Sequence, residues 1–369
     1  MSTQVSSKQL QEPASSEAVE FGRAEIENVT SPAPRDRWKR AIDSDLKVVP
    51  YQSPEWTDSA CDTGQFKDVS RAYRFSDGSE YVIPLLQKSA VPSVISFVGS
   101  MPPAWGMGGI IGSKPLNAEV LSRIVTDLRN TSYMGIHLRP NPLNAKIWAD
   151  VGLSHPTERR AHVLDLSGGL EKLWSEGFNS RLRTTIRKAE RTLEVEFDTT
   201  GRLMSTFYEL LLKSVDRWAR KQNEPLLLAR WRAKRRDPLA KFHSIATKMG
   251  EKCVVGVASN NGKPLAAVIV LVGKNANYSR GAMDVELVGS TGANELLQAK
   301  AIQFAIEAGC SSYHMGESGN SKNLSRFKEK FGAKPVDYAD YQLERLPISR
   351  IMHTSKTLIK RTIGFKDGQ

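Results

Sequence analysis

The sequence predicts an α+β fold, with a mixed, mostly antiparallel sheet flanked by helices. Residues 253–284 hold three consecutive strand-like runs, CVVGVAS, PLAAVIVLVG and NANYSRGAMD. The first two are joined through Asn-Gly, the favoured two-residue hairpin turn. The strands lead into NELLQAKAIQFAIEAG (294–309), whose apolar residues recur at helical spacing, and then into a further strand, SSYHMG (311–316). Length is the third observation: 369 residues exceed one ordinary core and predict two domains. An antiparallel meander feeding a helix–strand unit is not a doubly wound sheet. Neither GxGxxG nor GxxxxGKS/T occurs, which excludes the two commonest nucleotide folds.

Residues 1–45 are rich in Ser, Glu and Pro and read as a disordered lead, with order starting near VVPYQSPEW (48–56). The first half, 46–165, begins with EYVIPLL (80–86) and SVISFVG (93–99) as paired strands. AEVLSRIVTDLRN (118–130) places Val120, Leu121, Ile124, Val125 and Leu128 on one helical face. AHVLDLS (161–167) is a strand closing this half. Between strand and helix lies SMPPAWGMGGIIGSKP (100–115), where glycines permit positive φ and close backbone approach. It reads equally as a long connection or as a binding loop.

The second half, 166–345, opens with GGLEKLW as a short helix. Asn179 or Ser180 then caps a helix over 181–191 that buries Leu182, Ile186 and Ala189 and exposes arginines and lysine. Leu193, Val195 and Phe197 alternate as a strand, and STFYELLLKSVDRWARKQ (205–222) is an amphipathic helix. ARWRAKRRD (229–237) is the densest basic cluster and reads as a surface loop, with nucleic-acid binding through phosphate contact and stacking as the alternative. A helix follows Pro238, then the three strands, the 294–309 helix closed by Gly309, and the last strand. The tail, 346–369, is basic and amphipathic, a pattern that suits an anionic membrane surface or packing on the body.

Lys and Arg number 52 against 40 acidic residues, a formal charge of +12, and residues 1–50 contribute none of that excess. The folded body therefore favours an anionic partner. The three cysteines are far apart and show no metal-ligand spacing, so Cys253 and Cys310 read as buried small hydrophobes. No secretory signal or membrane span is visible, and the expected location is the cytoplasm, peripheral to the inner membrane face.

Three stretches carry a resemblance: FNSRLRTTIRKAER (178–191), NYSRGAMD (277–284) followed by ANELLQAKAIQFAIEAG (293–309), and YHMGESGNSKNLSRFKEKFGAKP (313–335). In order and spacing they resemble the FemAB-like branch of the GNAT acyltransferase superfamily, including its CelD-type domain. The resemblance covers roughly residues 165–340. It implies two tandem GNAT-like halves, with a donor held in a splayed gap between the strand ending at Asp284 and the strand 311–316.

The chemistry so implied is acyl transfer from acyl-CoA to an amine or hydroxyl, on a cell-envelope or polysaccharide precursor. Aminoacyl-tRNA is the alternative donor, and a non-catalytic anion-binding module is the alternative function. No tightly bound cofactor or metal is expected, and tRNA and an anionic membrane are further partners. Asp284, Glu317 and Lys328 are the catalytic candidates, with Lys328 facing the donor or the developing oxyanion. His314 is a further candidate for the general base. Arg183, Arg187, Lys188 and Asn294 are the donor-binding candidates, since the amides at the start of the 294–309 helix suit an anion. Tyr278, Arg280 and Trp218 are assigned to substrate, with Tyr278, Arg280, Ala282 and Asp284 expected on one strand face. The usual GNAT phosphate loop, Arg/Gln-x-x-Gly-x-Gly/Ala, is replaced here by VGSTGAN.

Overall fold

The computed structural model describes residues 24–153, 156–319 and 321–345. The start of the predicted lead and the basic tail 346–369 lie outside the described residues. In chain order the first half contains β1 (Ile26–Thr30), α1 (Arg35–Ser44), α2 (Pro54–Asp62), β2 (Phe66–Asp68), β3 (Arg71–Phe75) and β4 (Glu80–Ile83). It continues with β5 (Leu86–Lys88), β6 (Phe97–Gly99), β7 (Ile111–Gly112), α3 (Ala118–Arg129), β8 (Gly135–Leu138) and α4 (Ala145–Asp150).

Next come β9 (Thr157–Asp165), α5 (Gly169–Lys172), α6 (Ser180–Ala189), β10 (Glu194–Asp198), α7 (Met204–Gln222), α8 (Leu226–Arg236) and α9 (Leu239–Met249). The chain then forms β11 (Cys253–Asn260), β12 (Lys263–Leu271), β13 (Ala276–Met283), α10 (Val285–Val288) and α11 (Ala293–Glu307). It ends with β14 (Ser312–Glu317), α12 (Lys322–Glu329) and β15 (Lys334–Glu344).

β1, β3, β4 and β7 form a small sheet, while eleven strands form one continuous sheet in the order β10-β11-β12-β13-β14-β9-β15-β8-β6-β5-β2. The two halves repeat one pattern within it. β5 and β6 are antiparallel, α3 crosses over, and β8 returns parallel to β6. Likewise β12 and β13 are antiparallel, α11 crosses over, and β14 returns parallel to β13. The strand after each unit is exchanged: β9 crosses to β14, β15 crosses back to β8, and the two pair antiparallel at the sheet centre. The fold is thus mixed α+β in two tandem halves that share a sheet.

Packing follows the periodicities. One sheet face in the second half meets α6 and α11, through Leu182, Ile186 and Ala189 against Leu296, Ile302 and Ala305. Asn179 is the cap of α6, its Oδ1 accepting from the Leu182 amide at 2.8 Å. The other face packs on α7 and α9 through Phe207, Phe242 and Ile245, and also on Trp56 of α2, so the first half closes the second half's core.

Several expectations are corrected. Residues 24–45 contain β1 and α1, anchored by buried Trp38 and Ala41, so order starts well before residue 46. The run 80–86 divides between β4 and β5, which belong to different sheets, and 93–99 is strand only at β6. β9 does not close the first half, because it pairs with β14. The basic 229–237 cluster is the body of helix α8 rather than a loop; Ala229 and Ala233 give it a buried stripe too small to stand out in the sequence. Among the described residues no helix is long and apolar enough to cross a membrane.

Candidate active site

β13 and β14 pair at Ala276–Tyr313 and Asn277–His314, and beyond those two positions they separate. A bulge in β13 helps them part: Arg280 lies opposite Ile269 and Tyr278 opposite Val270, leaving Ser279 unopposed. An inserted residue breaks the period-two alternation of a strand. Ile269 and Val270 belong to opposite cores, so Tyr278 and Arg280 point to opposite faces rather than sharing one. This corrects the predicted row, whose alternation assumed a regular strand.

The separation opens a cavity of ≈ 530 Å³, within the range of small-molecule sites. Tyr278, Arg280, Trp218, Asn294, Glu317 and Lys328 all line it. Arg280 is held by the buried carboxylate of Asp237 at 3.4 Å, and Asp237 is held in turn by buried Lys241 at 2.8 Å. Burial pushes the Lys241 amine down to about 8. Burial also pushes the Tyr278 phenol up to about 12, so it is a neutral hydrogen-bonding group at physiological pH.

Lys328 is the most unusual group. It projects from α12 into the sheet, is 3% exposed, and its Nζ donates to the carbonyls of Gly316 and Glu317, both at 2.8 Å. Burial lowers its pKa to about 8, with the Glu317 charge pulling the other way. A mostly protonated, dehydrated ammonium at a cavity wall is a strong stabiliser of nearby negative charge. Leu324 of the same helix is 41% exposed at the cavity. Phe327 and Phe331 pack together.

Glu317 accepts from the Tyr338 hydroxyl at 2.8 Å and lies 3.6 Å from Arg159. It also lines a second cavity of ≈ 830 Å³, floored by Trp148 and Tyr341 from the first half and the exchanged strand. One residue therefore forms part of the wall of both chambers. α11 follows Gly292, which like Gly289 has positive φ, and the Ala293 amide donates to Thr291 Oγ1 at 3.3 Å. Asn294 stands in its first turn, donating to the Met283 sulfur at 3.0 Å.

The remaining candidates sit elsewhere. Asp284 does not line the cavity: its carboxylate caps α10 through the amides of Glu286 and Leu287 and pairs with Lys213 at 2.7 Å. The Lys213 hydrogen bond holds its pKa below the usual carboxylate value, which is wrong for a general base. Arg183 donates to the carbonyls of Trp174, Ser175 and Phe178, and Arg187 stacks over Trp174 at 5.4 Å. Lys188 is exposed on the same helix, and none of these three lines either cavity. His314 is buried with both ring nitrogens unpaired, and burial drives its pKa to about 4, so it stays neutral.

Sequence reasoning missed Asp237, Lys241, Arg159 and Tyr338. The first two were hidden in a charge run, and the last two come from strand positions not recognised in the sequence. Residues 100–112 line neither cavity; this glycine-rich segment connects β6 to β7 within the first half.

Residues 177–329 match the family described as an acetyltransferase (GNAT) domain. The fold is similar to the crystal structure of FemX, with a TM-score of 0.64, 13% identity, and coverage of 88% of this chain and 99% of that one. It is also similar to the C-terminal domain of a protein described as a lysylphosphatidylglycerol synthetase from Agrobacterium fabrum (TM-score 0.50, 14% identity, 88% and 96% covered). A conserved protein of unknown function from Bacteroides thetaiotaomicron is similar as well (TM-score 0.52, 11% identity, 85% and 99% covered). At these identities the likeness is one of fold. No curated protein matches the sequence.

Proposed function

We propose that this chain, whose residues 177–329 match an acetyltransferase (GNAT) domain and whose fold is similar to that of FemX, is an acyltransferase that moves an acyl group from acyl-CoA to an amine or hydroxyl of a cell-envelope or polysaccharide precursor. The observation that carries this reading is the cavity between β13 and β14, lined by the buried Lys328 and by Asn294 in the first turn of α11.

The residues fit a thioester donor. The α11 amides and Asn294 suit its pyrophosphate, since a helix N-terminus favours anions. Lys328 suits the carbonyl oxygen, which gains negative charge as the acceptor attacks. The acceptor nitrogen or oxygen forms the new bond to the carbonyl carbon, the C–S bond breaks, and the thiolate leaves and is protonated. In this reading Glu317, which lines both chambers, orients the acceptor and receives the proton it sheds. Arg280, fixed by Asp237, offers a cation to an anionic group of either substrate.

Thermal stabilisation by coenzyme A, acetyl-CoA, longer acyl-CoAs and a tRNA pool tests the donor, because a ligand selective for the native state raises Tm by mass action. A shift with acyl-CoA that is lost in Asn294→Ala supports the reading. A shift with tRNA and none with coenzyme A replaces the donor by aminoacyl-tRNA. Binding without release of coenzyme A thiol in the presence of amine acceptors would leave the anion-binding module.

A further inference from the structure

Helix α8 buries its small residues and exposes its large ones. Ala229 and Ala233, with Leu226 beside them, pack on Val215 and Ala219 of α7. At helical spacing the opposite face carries Leu227, Leu228, Trp231, Lys234 and Arg235. Leu227 is 82% exposed, Trp231 57% and Leu228 47%. Single exposed hydrophobics need no explanation, but a clustered set does. Eleven large hydrophobics are exposed among the described residues, and seven of them sit on α7, α8, α10 and α12.

Those helices line or adjoin the active-site cavity. Trp218 of α7 and Leu324 of α12 are at its wall. α10, with exposed Val285 and Leu287, is tied to α7 by the Lys213–Asp284 pair at 2.7 Å and the Arg220–Glu286 pair at 3.9 Å. α7 presents one stripe to the cavity (Leu211, Ser214, Arg217, Trp218) and seats α8 on the next (Val215, Ala219).

The charge around this face has one sign. Residues 213–236 hold nine lysines and arginines against two acids, Asp216 and Glu224. Arg230 and Arg232 pair with those acids, while Lys221, Lys234 and Arg235 form no ion pair among the described residues. Arg235 lies over the Trp231 ring at 5.4 Å and Arg217 over Trp218 at 5.7 Å.

We infer that the outward face of α8 is a docking surface for an anionic lipid bilayer, bringing the mouth of the acyl-transfer cavity beside the headgroups. Nucleic acid would use the cations and the flat tryptophan ring, but gains nothing from two exposed leucines. A bilayer interface uses all three: leucine enters the acyl boundary, tryptophan sits at headgroup level, and flanking cations meet anionic lipid. The inference does not rest on the donor assignment, because its test requires no turnover.

The full chain is sedimented with phosphatidylcholine vesicles and with mixed phosphatidylcholine–phosphatidylglycerol vesicles, at low and high salt. It binds the anionic vesicles selectively, and salt weakens the binding. Leu227→Ser/Leu228→Ser/Trp231→Ser lowers vesicle affinity by about tenfold or more, and Lys234→Ala and Arg235→Ala lower it by about fivefold each. Melting temperatures are read alongside; if the triple variant is unfolded, Leu227→Ser alone, at the most exposed position, supplies the comparison. No binding to anionic vesicles overturns the inference. So does equal binding by the Leu/Trp variant, which would assign attachment to another basic segment. Binding of tRNA that is lost in the Lys/Arg variants and kept in the Leu/Trp variant also overturns it, in favour of a nucleic-acid surface.

Discussion

The two parallel strand junctions share a topology and differ in what fills them. At β6 and β8, the glycine-rich segment turns back on the edge that β6 leaves. The Ser100 amide donates to the His137 carbonyl at 2.8 Å, the Arg139 amide to Ser100 Oγ at 2.8 Å, and the Gly108 amide to the Arg139 carbonyl at 2.9 Å. Gly108 makes this possible, since a Cβ there would lie 2.4 Å from the Ser100 carbonyl oxygen. At β13 and β14 the chain instead leads away through α10 to α11, and the Gly316 and Glu317 carbonyls are met by Lys328.

Both junctions face the same requirement, that buried backbone groups find partners. Backbone amides meet it in the first half and a lysine in the second. The lysine solution leaves a cavity and a dehydrated cation beside it, whereas the backbone solution leaves the junction filled. One topology thus yields a filled junction in the first half and an open one in the second.

The sharpest way to break this comparison is Lys328→Met. It should slow release of coenzyme A thiol from acyl-CoA in the presence of acceptor by about 10²–10³-fold, as for loss of one oxyanion donor. Near-parental turnover in a folded variant would remove the reaction from this junction.

Gly108→Ala probes the other junction. Overpacking backbone there should cost about 1–3 kcal/mol in chemical denaturation while leaving donor affinity unchanged. A selective loss of donor binding would show that the first half is not merely structural.

The pH dependence separates the two ways Lys328 could act. Its folded pKa is about 8, so a role as a cation predicts a turnover that falls about tenfold between pH 7 and pH 9 as the proton leaves. A rise through the same window, absent from Lys328→Met, would make it a base instead.

Asp284→Ala gives the smallest effect. Losing the α10 cap should cost about 1 kcal/mol of stability with little change in turnover. A turnover loss as large as that of Lys328→Met would restore Asp284 to the chemistry.

Helix α6 shows how much was legible. A cap at Asn179 or Ser180 and a buried stripe of Leu182, Ile186 and Ala189 follow from neighbours within a turn; the structure has the stripe and puts the cap at Asn179. Arg183 and Arg187 sit on that helix, yet their partners are the carbonyls and ring of the preceding turn, which residue type alone cannot distinguish from a phosphate. Six of the ten candidate site residues line the cavity, because strand ends and a helix start bordering one gap are marked by local pattern and by the family motifs. The β13 bulge escaped detection because one extra residue depends on the partner strand, not on the bulged one.

The sequence by itself determined the α+β class, the antiparallel meander, the α11 crossover and the family resemblance, because periodicity, turn residues and caps act over a few residues. Only the tertiary structure decided that β9 and β15 exchange between halves, that Glu317 faces two cavities, and that Lys328 is buried while Asp284 is a cap. Each of those depends on which distant strand lies alongside, and burial, charge pairing and pKa are properties of that neighbourhood rather than of the residue.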